Sequence, residues 1–221
     1  MNRFWTYLRV LCVLLCAITM AAVPFQPLRQ YETGHSSTGI LASDFDGDGD
    51  IDLAVSNRGT NDITILYNNG LSLFSTSASF PTGEGPRYVD GADFDGDGDI
   101  DLCTPDYYGL TASVLQNNGD GTFSPWQSYP MGTPAFLWTD DMDGDGHQDI
   151  IVLDWDADSD QPSQHPAKLI TLFNDGDGNF TPGTHSMIGV QPRGGAAADL
   201  NGDGIMDAIT ANLSSHSFSV V

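Results

Sequence analysis

The chain has 221 residues, of which 30 are acidic and 7 basic, for a formal charge of −23. So little basic surface cannot neutralise phosphates, which excludes nucleic acid and an anionic membrane surface as partners. With 40% apolar and 10% aromatic residues, the chain can form a packed core rather than remain disordered. Residues 1–22 read as a secretory signal peptide: Arg3 and Arg9 supply the positive start, Val10 to Ala17 is an unbroken apolar run, and small Ala21 and Ala22 precede the cleavage site. The apolar stretch from Val10 to Val23 is shorter than the ~20 residues a membrane span needs, so no span is expected after cleavage. The expected location is secreted or extracellular, periplasmic, or at the cell surface. Cleavage removes Cys12 and Cys16 and leaves Cys103, so no disulfide framework is implied.

Residues 23–221 read as four copies of one unit of about 49 residues. Three landmarks recur in register. The first is a Gly at 34, 83, 132 and 189. The second is an acidic loop at 44–52, 93–101, 141–149 and 199–207, read as DFDGDGDID, DFDGDGDID, DMDGDGHQD and DLNGDGIMD. The third is a turn, LYNNGLSLF from Leu66, LQNNGDGTF from Leu115 and LFNDGDGNF from Leu172. The loops begin 49, 48 and 58 residues apart, and the large slip comes from a nine-residue insertion in the third unit. Each unit predicts four short strands. One leads into the loop, as over Arg87 to Ala92. One leaves it, as over Ile51 to Val55 or Ile150 to Leu153. One runs into the Asn-Gly or Asp-Gly turn, as over Ile63 to Tyr67 or Leu169 to Phe173. One starts at the Phe, as over Phe123 to Tyr129. Asn-Gly and Asp-Gly are strong hairpin signals because such turns need positive φ. The expected class is therefore all-β: a β-propeller or partial propeller with four-stranded antiparallel blades.

Of the acids, 28 are Asp, and only Glu32 and Glu84 are Glu; Asp suits tight turns and compact cation cages. In the first loop Asp44, Asp46, Asp48 and Asp52 stand at positions 1, 3, 5 and 9, and Gly49 at position 6 permits the sharp turn. The second loop offers Asp93, Asp95, Asp97 and Asp101, the third Asp141, Asp143, Asp145 and Asp149, and the fourth Asp199, Asn201, Asp203 and Asp207. Position 7 can contribute its backbone carbonyl whatever its side chain, which accommodates Asp50, Asp99, His147 and Ile205 there. Oxygen-only ligands select a hard cation, and Ca²⁺ fits better than Mg²⁺. Carboxylates so crowded without a cation would repel strongly. One Ca²⁺ per loop is expected, three to four in all, with the fourth weaker because Asn201 removes one charge. The loop is not an EF-hand, whose bidentate Glu at position 12 is replaced by Val55, Thr104, Val152 and Thr210.

On these loops and the Asn-Gly-Asp-Gly-Thr-Phe turn at 118–123, the chain resembles the FG-GAP/VCBS repeat family, whose loops are similar to those of the integrin α-subunit propeller. The resemblance covers about Phe25 to Val221. It implies Ca²⁺ ligation by the Asp residues at positions 1, 3, 5 and 9 with the position-7 carbonyl. It also implies adhesion or recognition of a protein or glycan ligand. A rival reading is a lyase or hydrolase acting on polysaccharide, or its accessory carbohydrate-binding module. Its candidates outside the loops are Arg87, Asp106, Tyr107, His165, Lys168 and Arg193, with no assigned catalytic residue.

Two architectures stay open. Residues 25–33 align with a fourth strand and would complete the last blade of a four-bladed ring. The preferred alternative is part of a longer array, which would pair with further blades or associate through open strand edges. The insertion at about 154–167 is read as an acidic surface excursion.

Overall fold

The computed structural model describes residues 29–71, 73–125, 127–155 and 165–221. The signal peptide expected over 1–22 lies outside them, as does most of the insertion, 156–164. The chain divides into two units, 1–32 and 33–221. Residues 29–33 form no strand, so the strand expected over 25–33 is not formed there, and 25–28 lie outside the described residues.

The described residues contain no helix and are arranged in four antiparallel sheets. The first sheet is β1 (Ser37–Ser43), β2 (Asp52–Asn57), β3 (Asp62–Asn68) and β4 (Phe74–Pro81), in that order. The second is β5 (Leu102–Asp106), β6 (Thr111–Leu115) and β7 (Gln127–Pro130). The third is β8 (Pro134–Asp140), β9 (Asp149–Asp154), β10 (Pro166–Asn174) and β11 (Phe180–Pro182), with β12 (Ser186–Val190) also on β10. The fourth is β13 (Pro192–Ala198), β14 (Asp207–Asn212) and β15 (Ser217–Val220).

The strand expected over Arg87 to Ala92 is reduced to isolated bridges, Pro86 with Asp106 and Asp90 with Cys103. The cause is Pro105 in β5. Its carbonyl accepts the Arg87 amide at 3.0 Å, but proline has no N–H to return to that neighbour. The fourth strands carry an extra residue. Asn68 opposes Phe74 while Tyr67 opposes Thr76. In the third sheet β11 and β12 are one interrupted strand: the Gly183 amide reaches the Thr171 carbonyl at 2.8 Å, and pairing resumes at Leu169 with Ser186. Pro182 and Gly183 make such a bulge inexpensive. In the second sheet Ser124 bonds Gln116 and pairing resumes at Gln127 with Val114; residue 126 lies outside the described residues. The expected strand from Phe123 therefore begins as a single bridge with Asn117.

Successive sheets pack face to face through three apolar clusters. Phe45, Ile63, Ile65, Val89, Leu102, Leu115 and Phe123 join the first sheet to the second. Phe94, Cys103, Val114, Leu137, Ile150 and Leu172 join the second to the third. Trp138, Ile151, Leu153, Leu169, Ile188 and Ala208 join the third to the fourth. Strands β5 and β9 are buried along their whole length, whereas β1 and β15 are largely exposed. Among the described residues no cluster joins the fourth sheet to the first, so the sheets form an open row and not a closed ring.

The recurrent Gly residues have a packing reason. Gly34, Gly83, Gly132 and Gly189 lie against Asn57, Asp106, Asp154 and Asn212, the last residues of β2, β5, β9 and β14, and a Cβ on any of them would overlap those side chains. Asp106 is fully buried and accepts hydrogen bonds from Thr104 Oγ1 at 2.8 Å, Thr111 Oγ1 at 3.0 Å and Ser113 Oγ. Burial pushes its carboxyl up to about 6, against the opposite pull of those hydroxyl groups and the Gly83 amide.

Leu172→Ala removes a fully buried side chain of the second junction and should cost about 2–5 kcal/mol in urea unfolding. Ile40→Ala, at a residue 60% exposed on β1, should change stability by no more than ~0.5 kcal/mol; equal losses would mean that the junctions do not carry the fold. Asp106→Asn tests the buried carboxyl. Because its folded pKa lies above its ordinary value of 3.8, the folded state binds the extra proton between the two values. Its contribution is therefore lost as pH rises from about 4 through 6. An asparagine at this place, like Asn57 and Asn212 at the matching positions of other units, has no charge to bury. The variant should gain on the wild type by on the order of 3 kcal/mol between pH 4 and pH 7. Parallel stability–pH curves for the two proteins would refute this.

Candidate functional site

Each acidic loop is a tight turn that leads into the second strand of its unit, and its carboxylates are held by its own backbone. In the first loop the Gly47 and Gly49 amides each donate at 2.9 Å to the two oxygens of Asp44. The Asp48 amide reaches Asp46 at 3.2 Å, and the Asp50 amide reaches Asp48 at 2.9 Å. The same bonds recur on Asp93, Asp95 and Asp97, on Asp141, Asp143 and Asp145, and on Asp199, Asn201 and Asp203. The position-6 glycines Gly49, Gly98, Gly146 and Gly204 have φ of 90°, 98°, 94° and 88°, a backbone that L side chains rarely adopt.

The ninth-position Asp closes each loop. Asp52 accepts the Phe45 amide at 3.1 Å on one oxygen and the Asn68 amide at 2.7 Å on the other. Asp101 takes Phe94 and Asn117 at 3.0 and 2.7 Å. Asp149 takes Met142 and Asn174, both at 2.9 Å. Asp207 accepts the Leu200 amide at 3.0 Å. Asn117 and Asn174 then reach into the preceding sheet's loop, donating from Nδ2 to the Phe45 carbonyl at 3.0 Å and the Phe94 carbonyl at 2.8 Å. The loops are thereby linked from sheet to sheet.

Three groups of carboxylates bring one oxygen each within 4.8 Å of one another: Asp44, Asp46 and Asp48; Asp93, Asp95 and Asp101; Asp141, Asp143 and Asp149. Each of these acidic clusters could hold a metal ion. Among the described residues the fourth loop gathers no such trio; Asn201 stands there in place of an Asp. Asp52, Asp97 and Asp145 lie beside these groups on the same loops, and Asp199, Asp203 and Asp207 stand on the fourth. At position 7 the side chains of Asp50, Asp99 and His147 lie over Gly70, Gly119 and Gly176 of the following hairpin turn, and Ile205 is 53% exposed.

Burial lifts the carboxyl pKa of Asp52 and Asp149 above its ordinary value, and lifts Asp101 to about 6; in each case loop carboxylates add to the rise and the two amides oppose it. Oxygen donors that are crowded, partly buried and reluctant to ionise fit a hard divalent cation, whose charge would reverse that reluctance. Such an ion would be held by the Asp residues at positions 1, 3, 5 and 9 and would supply fixed positive charge, with no chemistry of its own required.

The remaining candidates separate. Asp106 faces buried hydroxyl groups. Cys103 is buried in the second junction, with its thiol pKa raised by burial. Arg87, Arg193 and Tyr107 meet at the end of the sheets remote from the loops, together with Arg58 and Trp155. Arg58 carries no signal of its own in the sequence, and Trp155 reads there as part of the insertion. The signal that would have joined them is register: Arg87 and Arg193 stand six residues before a loop start, and Arg58, Tyr107 and Trp155 stand six residues after a ninth-position Asp. Among the described residues no helix is long and apolar enough to cross a membrane.

Comparison with known proteins gives two kinds of likeness. A lectin of Agrocybe aegerita that recognises non-reducing terminal N-acetylglucosamine is similar with a TM-score of 0.49 and 20% identity, over 81% of this chain and 50% of that one. An auxiliary nutrient-binding protein of Bacteroides ovatus is similar in fold, with a TM-score of 0.51 and 15% identity over 86% of this chain and 46% of that one. The chain thus spans about half the length of these solved structures. Among curated proteins none matches it in sequence. The FG-GAP-like repeat matches residues 44–104 and 141–210, more than half of the chain and all four acidic loops. The chain belongs to the FG-GAP-like repeat family.

Proposed function

We propose that the chain is a secreted binding scaffold, built as part of a β-propeller, that presents a surface for a glycan or protein ligand and is held together by structural calcium. The observation that carries this reading is the gathering of three carboxylates, with oxygens within 4.8 Å of one another, at three of the four equivalent loops. A catalytic ion needs an open position and a reacting group beside it. Here the cage is closed by its own backbone amides and by the ninth-position Asp, which suits a structural role. Membership of the FG-GAP-like repeat family supports the binding role, and the likeness in fold to the Bacteroides ovatus protein is an instance of such a fold serving binding. Calcium is the favoured ion because the donors are all oxygen, whereas Mg²⁺ demands near-ideal octahedral geometry and gives up its waters reluctantly. Export matches the need, since extracellular calcium is millimolar.

At millimolar calcium and a dissociation constant near 0.1 mM, each site adds roughly 1.5–2 kcal/mol. Three or four sites then approach the stability of a whole domain, ~5–15 kcal/mol. A thermal melt of residues 23–221 should give one cooperative transition in calcium that collapses in EDTA, and Asp95→Asn should lower the calcium-loaded Tm while leaving the EDTA melt nearly unchanged. A transition indifferent to EDTA would overturn structural calcium. A glycan array probed with and without EDTA tests the binding role: calcium-dependent capture of a defined glycan supports it. Product release from a polysaccharide panel would instead favour an enzyme.

A further inference from the structure

At the end of the sheets remote from the acidic loops, three of the chain's 7 basic residues converge on aromatic rings. The Arg58 guanidinium lies 4.7 Å from the Tyr108 ring centre and bonds its hydroxyl. Arg87 lies 4.7 Å from Tyr107 and 5.1 Å from Trp155. Arg193 lies 4.9 Å from the same Trp155. Trp155 is itself fixed: Nε1 donates to the Pro192 carbonyl at 3.0 Å, and its amide to the Thr133 carbonyl at 2.9 Å. Arg87 and Arg193 open into a cleft of about 260 Å³, completed by Tyr88, Phe136, Trp155 and Pro192. Tyr88 and Phe136 pack at 4.4 Å between ring centres and form one continuous wall.

We infer that this cleft binds the carboxylate or sulfate of an acidic sugar, with Arg87 and Arg193 as partners of the anion and the Tyr88–Phe136 wall beside the sugar ring. The inference rests on the reading of the chain as a glycan-binding scaffold and names its ligand class. A guanidinium held against a ring keeps N–H donors for an anion, and its planar fork suits the paired oxygens of a carboxylate or sulfate. The like-charged Arg58 and Arg193 both act against the positive charge of Arg87. An incoming anion would relieve that mutual repulsion. The volume is just below the usual range of about 300–1,000 Å³ for a ligand site, which suits one ring and its acidic group rather than an extended peptide.

The loop carboxylates do not forbid this, and the nearer Asp106 and Asp154 are buried and accept hydrogen bonds from Ser and Thr hydroxyl groups and from the Gly132 and Thr133 amides. Asp149 and Trp155 stand at opposite ends of β9, about 20 Å apart at the rise of a strand, more than twice the ~8 Å screening length at physiological salt. Bound cations would neutralise the loops further.

The test is calorimetry on the calcium-loaded protein with digalacturonate, galactose 6-sulfate, neutral galactobiose and a pentaglutamate peptide. At least one acidic sugar should bind tenfold or more tightly than galactobiose, and which one does so identifies the anion. Arg193→Gln, at an exposed residue of the cleft, should lower that affinity at least tenfold with an unchanged Tm. Arg58→Gln removes the same charge outside the cleft lining and should lower it less than threefold. Equal binding of galactobiose, binding of pentaglutamate alone, no binding of either acidic sugar, or equal losses in the two variants would each overturn the inference. A neutral glycan captured on an array, with affinity untouched by Arg193→Gln, would overturn the cleft and sustain the scaffold; an array without any glycan ligand would overturn the glycan reading beneath it.

Discussion

The structure depends on one buried carboxylate repeated along the chain. Asp52, Asp101 and Asp149 each accept an amide from the second residue of their own loop and an amide from the far end of the third strand or just beyond it. No apolar residue could do this, and an exposed one would gain little by it. The position fixes the loop's closure and the register of the second and third strands together. Taking an ionised group out of water is costly, which is why the pKa values of these residues rise. The same cost makes the neighbouring oxygens a receptive cage for a cation. Loop, hairpin and ion site are therefore parts of one electrostatic arrangement.

That arrangement also propagates between sheets. Asn117 and Asn174 give their amides to Asp101 and Asp149 and their side-chain nitrogens to the Phe45 and Phe94 carbonyls of the preceding loop. Those two phenylalanines are almost wholly buried in the junction clusters. A loop that shifts must therefore move the core of its junction as well. Polar linkage at the loop end and apolar packing along the sheets specify the same spacing, so the repeats stack in one way.

The two ends of the sheets have opposite chemistry. One carries nearly all the loop carboxylates; the other gathers Arg58, Arg87 and Arg193 on Tyr107, Tyr108 and Trp155. A strand as long as β9 keeps these fields apart in salt. A scaffold that is rigid and acidic at one end can thus present a basic, aromatic surface at the other, where segments between strands are free to vary.

The repeat, its acidic loops and the hairpin turns were legible in the sequence because each is a local requirement, alternating oxygens on a tight loop and positive φ at Gly49 and its counterparts; the recurrent Gly was legible only as a landmark in register, its packing against Asn57 or Asp106 being a contact across strands. Other features were not legible, because they depend on what lies across the sheet or in the next one. Pro105 weakens a strand well before it in the chain by withholding an N–H. The bulges that split the fourth strands follow from pairing register. The arginine cleft draws Arg87 and Arg193 from separate repeats, and the matching positions of the other two hold Thr38 and Ala135, so no motif announces it. By itself the sequence determined the family, the all-β class and the carboxylates grouped for a cation, since those follow from short-range spacing. Only the tertiary structure decided that the sheets stand in an open row and that arginines scattered over some 135 residues meet on one indole and its neighbouring phenols, because distance in space between side chains is set by packing and not by their order in the chain.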